Sequence, residues 1–187
     1  MYTKLLATAL LAALTMPCAQ GAESEFQITP RGGFGDLKIN ADRLSDGQAL
    51  HDDTAGIGCG FGILTPIGLV IEGGVEAYGN EDLFDDDAYY LAQRFISVGY
   101  QFELGDGWRI VPKVGRTKWT LDSEDRNLLQ ADSSSPPQDR VRGYEYFWEA
   151  SVSKRISRVV ALGVTYKAAD YDFGHAHSAS FVATFGF

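Results

Sequence analysis

The sequence predicts an all-β fold: an eight-stranded, up-and-down antiparallel transmembrane β-barrel. Three observations predict it. Apolar residues recur with a period of two over most of the chain. The connections between periodic segments alternate between short and long. The two faces of each segment also differ in kind. One is aliphatic with aromatic residues at both ends; the other is charged and rich in glycine.

The segments follow one another in a regular series. The first is "FQITPRGGF" (26–34). In "TAGIGCGFGI", Ile57, Cys59, Phe61 and Ile63 oppose four glycines. In "LVIEGGVEAY", Ile71 and Val75 oppose Glu72 and Glu76. "RFISVGYQFEL" sets Ile96, Val98, Tyr100 and Phe102 against Phe95, Ser97, Gly99 and Gln101. "WRIVPKVGR" sets Trp108, Ile110 and Val114 against Arg109, Val111 and Lys113, and "YEYFWEASVS" sets Tyr144, Tyr146 and Trp148 against Glu145, Phe147 and Glu149. "VVALGVTYK" opposes Leu162, Val164 and Tyr166 to Gly163, Thr165 and Lys167, and "SASFVATFGF" ends the series. Segments of about 9–11 residues suit tilted strands crossing a bilayer. Short turns are expected at 65–68, 105–107 and 155–158, and long connections at 36–53, 79–89, 122–143 and 169–177. Pro30 and Pro112 fall inside predicted strands, where each removes a ladder donor, and a bulge is expected at each.

A leader precedes the barrel. Residues 1–21 have a cationic start at Lys4, an apolar run to about Pro17 and the small-residue exit "AQG". That is the layout of a secretory signal peptide, and its apolar run is too short to span a bilayer. Cleavage after Gly21 leaves 22–187 as one barrel domain. Pro17 disfavours a lipoprotein reading of Cys18, so Cys59 is the one mature cysteine and is expected to be a small apolar strand residue.

Alternation alone leaves open which face is inside. A soluble barrel would bury the aliphatic face. Here glycine and serine accompany the charges, leaving room for long side chains in a narrow lumen. The aromatics form two girdles: Trp108, Phe102, Phe185 and Phe187 near the short turns, and Tyr90, Tyr144, Tyr146 and Tyr166 near the long connections. The aliphatic face is therefore assigned to lipid. Arg31, Glu72, Glu76, Glu103, Arg109, Lys113, Glu145, Glu149 and Lys167 are then inward. Eight strands enclose a space just filled by side chains, so these charges are expected to pair. A lumen charge network is assigned to Glu72, Glu76, Arg109, Lys113, Glu145, Glu149 and Lys167.

The hairpin series and the "ATFGF" ending resemble the small eight-stranded outer-membrane barrels of Gram-negative bacteria, such as the membrane domain of outer membrane protein A and its relatives. The resemblance covers nearly all of 22–187. It implies a location in the cell outer membrane, both termini periplasmic, and a monomer. It also implies that Phe181, Phe185 and Phe187 form the signal read by the barrel-assembly machinery. The chain stops at Phe187, so no peptidoglycan-gripping domain of the full-length relative is expected.

Three function classes follow. The first is a non-enzymatic structural or surface-interaction barrel, with adhesion through long acidic loops as one form. The second is a small gated pore, with Glu72 or Glu76 exchanging between Lys113 and other bases. The third is a lipid A-modifying enzyme. "GHAHSAS" places His175, His177, Ser178 and Ser180 together and weakly resembles the lipid A 3-O-deacylases, with Glu149 the available acid. Its spacing departs from theirs, and "ESEF" is too short for the leading helix of the palmitoyltransferases. The first class is preferred, with no enzymatic activity, cofactor or metal expected. "NEDLFDDD" lacks EF-hand spacing and reads as a solvated loop, and "LLQADSSSPPQDR" as an aperiodic one. A net charge of −9 argues against nucleic acid or heparin as partner. Outer-membrane lipid and lipopolysaccharide are the expected partners, the latter through shared divalent cations.

Overall fold

The computed structural model describes residues 24–44, 49–80, 89–123 and 140–187. Nine strand segments follow in order: β1 (Glu25–Ile39), β2 (Leu50–Leu64), β3 (Leu69–Asn80), β4 (Tyr89–Tyr100), β5 (Phe102–Gly105), β6 (Trp108–Ser123), β7 (Arg140–Arg155), β8 (Val160–Tyr171) and β9 (Gly174–Gly186). Segments β4 and β5 are one stave interrupted at Gln101, so the wall has eight staves. Every sequential pair is antiparallel, and β1 pairs with β9 from Gln27↔Gly186 to Ile39↔Gly174. The wall is closed, with β4 joined to β6 and β1 to β9. Closure lets a β structure sit in lipid, because no strand edge is left without a partner within the protein.

The side chains alternate as predicted. Ile57 is 75% exposed, Ile96 63% and Phe181 74%, while Glu72, Glu76 and Glu149 are each exposed by 4% or less. An apolar belt outside and charge inside is the inverse of a soluble barrel. Gly105-Asp106-Gly107 makes its turn with all three residues at positive φ, a geometry that favours glycine.

The strands run past the predicted segments at the long-connection end. There the two faces exchange roles. Leu37, Ile39, Tyr78, Leu91, Phe95, Trp119, Leu121, Val141, Phe147, Tyr171 and Phe173 pack into one apolar cluster inside the barrel. Outside, at the same end, stand Lys38, His51, Asp53, Arg94, Lys118, Arg142, Asp170 and His175, all exposed. Water outside the membrane explains the exchange: an outer wall above the bilayer gains from polar groups and the interior from apolar ones.

Three expectations are corrected. The connection at 169–177 is a tight turn at Asp172 and Phe173 between β8 and β9. Strand pairing also takes up both ends of 36–53 and of 122–143, over 36–39, 50–53, 122–123 and 140–143. Neither proline makes a bulge. Pro30 pairs in register with Cys59 and Pro112 with Ala150. The ladder on each proline's other side skips: β1–β9 pairing passes from Ile28↔Phe185 to Arg31↔Val182 without a change of register. At Pro112 the skip coincides with the break at Gln101, whose N–H donates instead to the carbonyl of Gly68 at 2.8 Å. The leader, most of "NEDLFDDD" and most of "LLQADSSSPPQDR" lie outside the described residues.

A folded closed barrel resists detergent, so the unboiled protein should run at a different apparent mass from the boiled one on a denaturing gel. A mature protein soluble without detergent would show that the aliphatic face does not meet lipid.

Candidate functional site in the lumen

Six strand positions bring three acids and three bases to one level of the lumen. Arg31 comes from β1, Glu72 and Glu76 from β3, Lys113 from β6, Glu149 from β7 and Lys167 from β8. Arg31 donates to Glu72 Oε1 at 2.5 Å, Glu76 Oε1 at 3.0 Å and Glu149 Oε2 at 2.8 Å. Lys113 Nζ donates to Glu72 Oε2 at 2.5 Å and Glu149 Oε1 at 2.6 Å. Lys167 Nζ donates to Glu76 Oε2 at 2.5 Å and Gln93 Oε1 at 3.0 Å. Each carboxylate thus meets two bases, and the formal charge of the set is zero. Neutrality and multiple hydrogen bonds are what burial of charge requires.

Strand β2 makes room for this cluster by contributing glycine. A Cβ on Gly60 would collide with the Glu72 carboxylate, and one on Gly58 would come within 2.7 Å of Glu76 Cγ. Above the cluster, Phe95 and Phe147 meet edge to face at 5.9 Å. Lys167 Nζ lies 4.4 Å from the Phe147 centroid and 5.2 Å from that of Phe95, and Arg31 sits 5.2 Å from Phe95. The two rings therefore cap the charges as cation–π partners and form the floor of the apolar cluster. Among the described residues the lumen holds small cavities, about 20 Å³ beside Leu91 and Tyr78, about 40 Å³ beside Arg31 and Arg109 and about 10 Å³ beside Arg109 and Thr184. Spaces of that size hold a few waters at most.

Of the seven residues assigned to the network, Glu72, Glu76, Lys113, Glu149 and Lys167 come together, around Arg31. Arg109 and Glu145 stand outside it. Arg109 is buried near the short-turn end of β6. Its Nε lies 3.2 Å from Glu103, at an angle that makes no hydrogen bond. Glu145 lies on the far side of Phe147 and turns towards Asp172 in the β8–β9 turn. The ring between Glu145 and Glu149 is the physical reason that same-face alternation does not bring them together. Gln93 and Tyr78 join the network unforeseen, Tyr78 donating its hydroxyl to Glu76 at 3.2 Å. Their inward parity was readable, but a neutral side chain carries no charge signal.

The histidine–serine arrangement is not assembled. His177 faces outward and bonds Tyr166 through Nδ1 at 3.0 Å, while Ser178 is turned to the inner face, 3.4 Å from the Tyr78 hydroxyl. His175 pairs with Asp170 at 2.7 Å, Ser180 is buried, and Glu149 is held by Arg31 and Lys113. Phe181, Phe185 and Phe187 all face outward, at 74%, 37% and 71% exposure. Cys59 is a half-buried strand residue with a free thiol. Among the described residues no three of His, Cys, Asp and Glu converge as a metal site.

Removing one acid leaves two buried bases short of a partner. Glu149→Gln should cost about 3–5 kcal/mol of folding stability. Exposed Arg158→Gln should change it by no more than about 0.5 kcal/mol. Urea unfolding in lipid vesicles, followed by tryptophan fluorescence, measures both.

No family model matches the chain, and no curated protein matches it either. Solved structures do. Ail, the attachment invasion locus protein of Yersinia pestis, in complex with the heparin analogue sucrose octasulfate, aligns at TM-score 0.58 and 13% identity over 89% of this chain and 100% of that one. Neisserial surface protein A aligns at TM-score 0.57 and 13% identity over 89% of this chain and 98% of that one. A de novo designed transmembrane β-barrel aligns at TM-score 0.53 and 11% identity over 89% and 98%. At such identities the likeness is one of fold, and the fold is that of the small eight-stranded outer-membrane β-barrels.

Proposed function

We propose that this chain is a non-enzymatic outer-membrane barrel with a structural or surface-interaction role, its long-connection end facing the outside. One observation carries the proposal: the lumen is closed by a neutral ionic cluster capped with two phenylalanines. Such an interior supports a rigid stave-to-stave brace and offers no continuous aqueous path. The separation of His177 from Ser178 across the wall speaks against an acyl-cleaving site. A surface-interaction role has a parallel in Ail, a barrel of the same fold whose name refers to attachment and invasion. Outer-membrane lipid and lipopolysaccharide are the surrounding partners, and the closed wall suits a monomer.

In planar bilayers the purified barrel should show no discrete single-channel steps. Regular steps would favour the gated-pore reading and sink the sealed-lumen one. Lipid A from cells expressing the folded protein should have an unchanged mass spectrum; a new acylation or deacylation product would restore the enzyme reading.

Phe181, Phe185 and Phe187 are proposed as the signal for the barrel-assembly machinery. Their support is an exposed aromatic stripe on the strand that seals the wall against β1. Phe187→Ser should lower the amount of folded protein in the outer membrane severalfold, while replacing a single loop acid should leave it unchanged. Equal accumulation of the Phe187→Ser protein would remove the assembly reading.

A further inference from the structure

Among the described residues, exposed bases cluster on one sector of the outer wall where its polarity changes. On the outward faces of β4, β6 and β7 stand Arg94, Arg116, Lys118 and Arg142, all exposed. Arg94 and Lys118 are direct cross-strand partners, and Lys118 lies opposite Tyr144 and Arg116 opposite Tyr146. The tyrosines hold the bases from below and beside: Arg116 lies 5.0 Å from the Tyr144 centroid and 5.7 Å from that of Tyr146, and Lys118 lies 5.6 Å from Tyr144. Among the described residues none of the four bases has a carboxylate within ion-pair distance. Among the described residues Asp122 is the acid on the outward faces of these three strands, and it is taken by Arg140. Further round the wall, Asp170 on β8 meets His175 and Asp36 on β1 meets His51.

Below the bases the same wall is grooved and apolar. A groove of about 680 Å³ is lined by Ile57, Val75 and Ala92, with Arg94, Lys118 and Arg142 at its polar side. Another, of about 800 Å³, is lined by Ile96, Val98, Val114 and Trp148, with Arg116 and Tyr146 at one side and Asp170, which is paired with His175, and His177 at the other. Bases that have no ion-pair partner among the described residues, set above apolar grooves, match an amphiphile with anionic heads and several chains.

We infer that this sector is a seat for a phosphorylated glycolipid of the outer leaflet, its phosphates gripped by Arg94, Arg116, Lys118 and Arg142 and its acyl chains lying in the two grooves. This rests on the proposed orientation, which puts the long-connection end outside. A second copy of the chain presenting the same sector would meet like charge, and like charges across an interface repel. A lipid with one phosphate would leave part of the cluster unmatched, since the four bases span three strands and more than one level of the wall. Aromatic rings beside the bases suit the boundary between chains and heads.

The test uses the full mature protein in nanodiscs of zwitterionic lipid, with bound lipid counted by native mass spectrometry. Bisphosphorylated lipid A should be retained, and the same lipid stripped of phosphate should not. The triple variant Arg94→Gln/Arg116→Gln/Lys118→Gln should bind on the order of 100-fold more weakly. Lys38→Gln, an exposed base on the opposite sector, should bind as the parent does. Phosphate-independent retention by the parent protein would overturn the inference without recourse to a variant. So would undiminished binding by a folded triple variant, with the gel shift as the check of folding. Phosphatidylglycerol retained as tightly as lipid A would show a phospholipid seat and overturn the assignment to glycolipid. Cell fractionation tests the outer-membrane reading separately: a protein absent from that membrane defeats the reading even where binding in nanodiscs persists.

Discussion

Charge neutrality inside the barrel is the constraint on which the rest of the structure depends. Six ionised groups occupy a space from which bulk water is excluded, and their mutual attraction has to offset a desolvation cost of several kcal/mol for each ion. That is achieved only if all six arrive together. Arg31 belongs to β1 and Lys167 to β8, so the network spans most of the circumference. A barrel that had not closed would leave some of these groups unpaired. Closure and pairing are thus one cooperative event, and the glycine face of β2 is part of it because a larger residue at Gly60 would occupy the place of Glu72. The same packing that stabilises the wall fills the lumen.

Much of the fold was legible because a membrane strand carries its signal at short range. Parity separated Ile57, Phe61 and Ile63 from Glu72, Glu76 and Lys113, the glycines and the aromatic girdles put the first set outside, and the structure agrees at each. The signal weakened where the bilayer ends. Beyond Arg116 the outward residues are Lys118, Thr120 and Asp122, a composition that reads as loop when apolar residues are sought outside. The inward residues there, Trp119 and Leu121, are the apolar ones. A period of two persists through this stretch with the opposite sign, and an expectation tied to one sign stops reading it. The β8–β9 turn was hidden for the same reason: Asp170, Asp172 and His175 look like a solvated loop although Tyr171 and Phe173 fill the core.

The site was legible in its membership by face and illegible in its height. Alternation assigns Arg109, Glu145 and Glu149 to one surface, but which of them share a level depends on strand tilt and stagger, and these are properties of the closed barrel. Phe147 separates Glu145 from Glu149, while Lys113 is brought beside Glu149 by direct pairing across β6 and β7. The outward bases had the complementary difficulty. Arg94 and Lys118 are far apart in the chain, and only the β4–β6 register makes them neighbours.

The exchange of polarity along the wall also bears on how one alignment of the staves is chosen over its rivals. Strict alternation is blind to a slip of two residues, because every side chain keeps its face. A uniform barrel would therefore admit a ladder of near-degenerate registers. Here a slip of two would carry Phe147 towards the charges and Glu149 away from them, and would move Lys118 relative to the lipid boundary. The change of sign acts as a vernier mark cut into each stave: parity fixes the fine scale, and the mark fixes the coarse one.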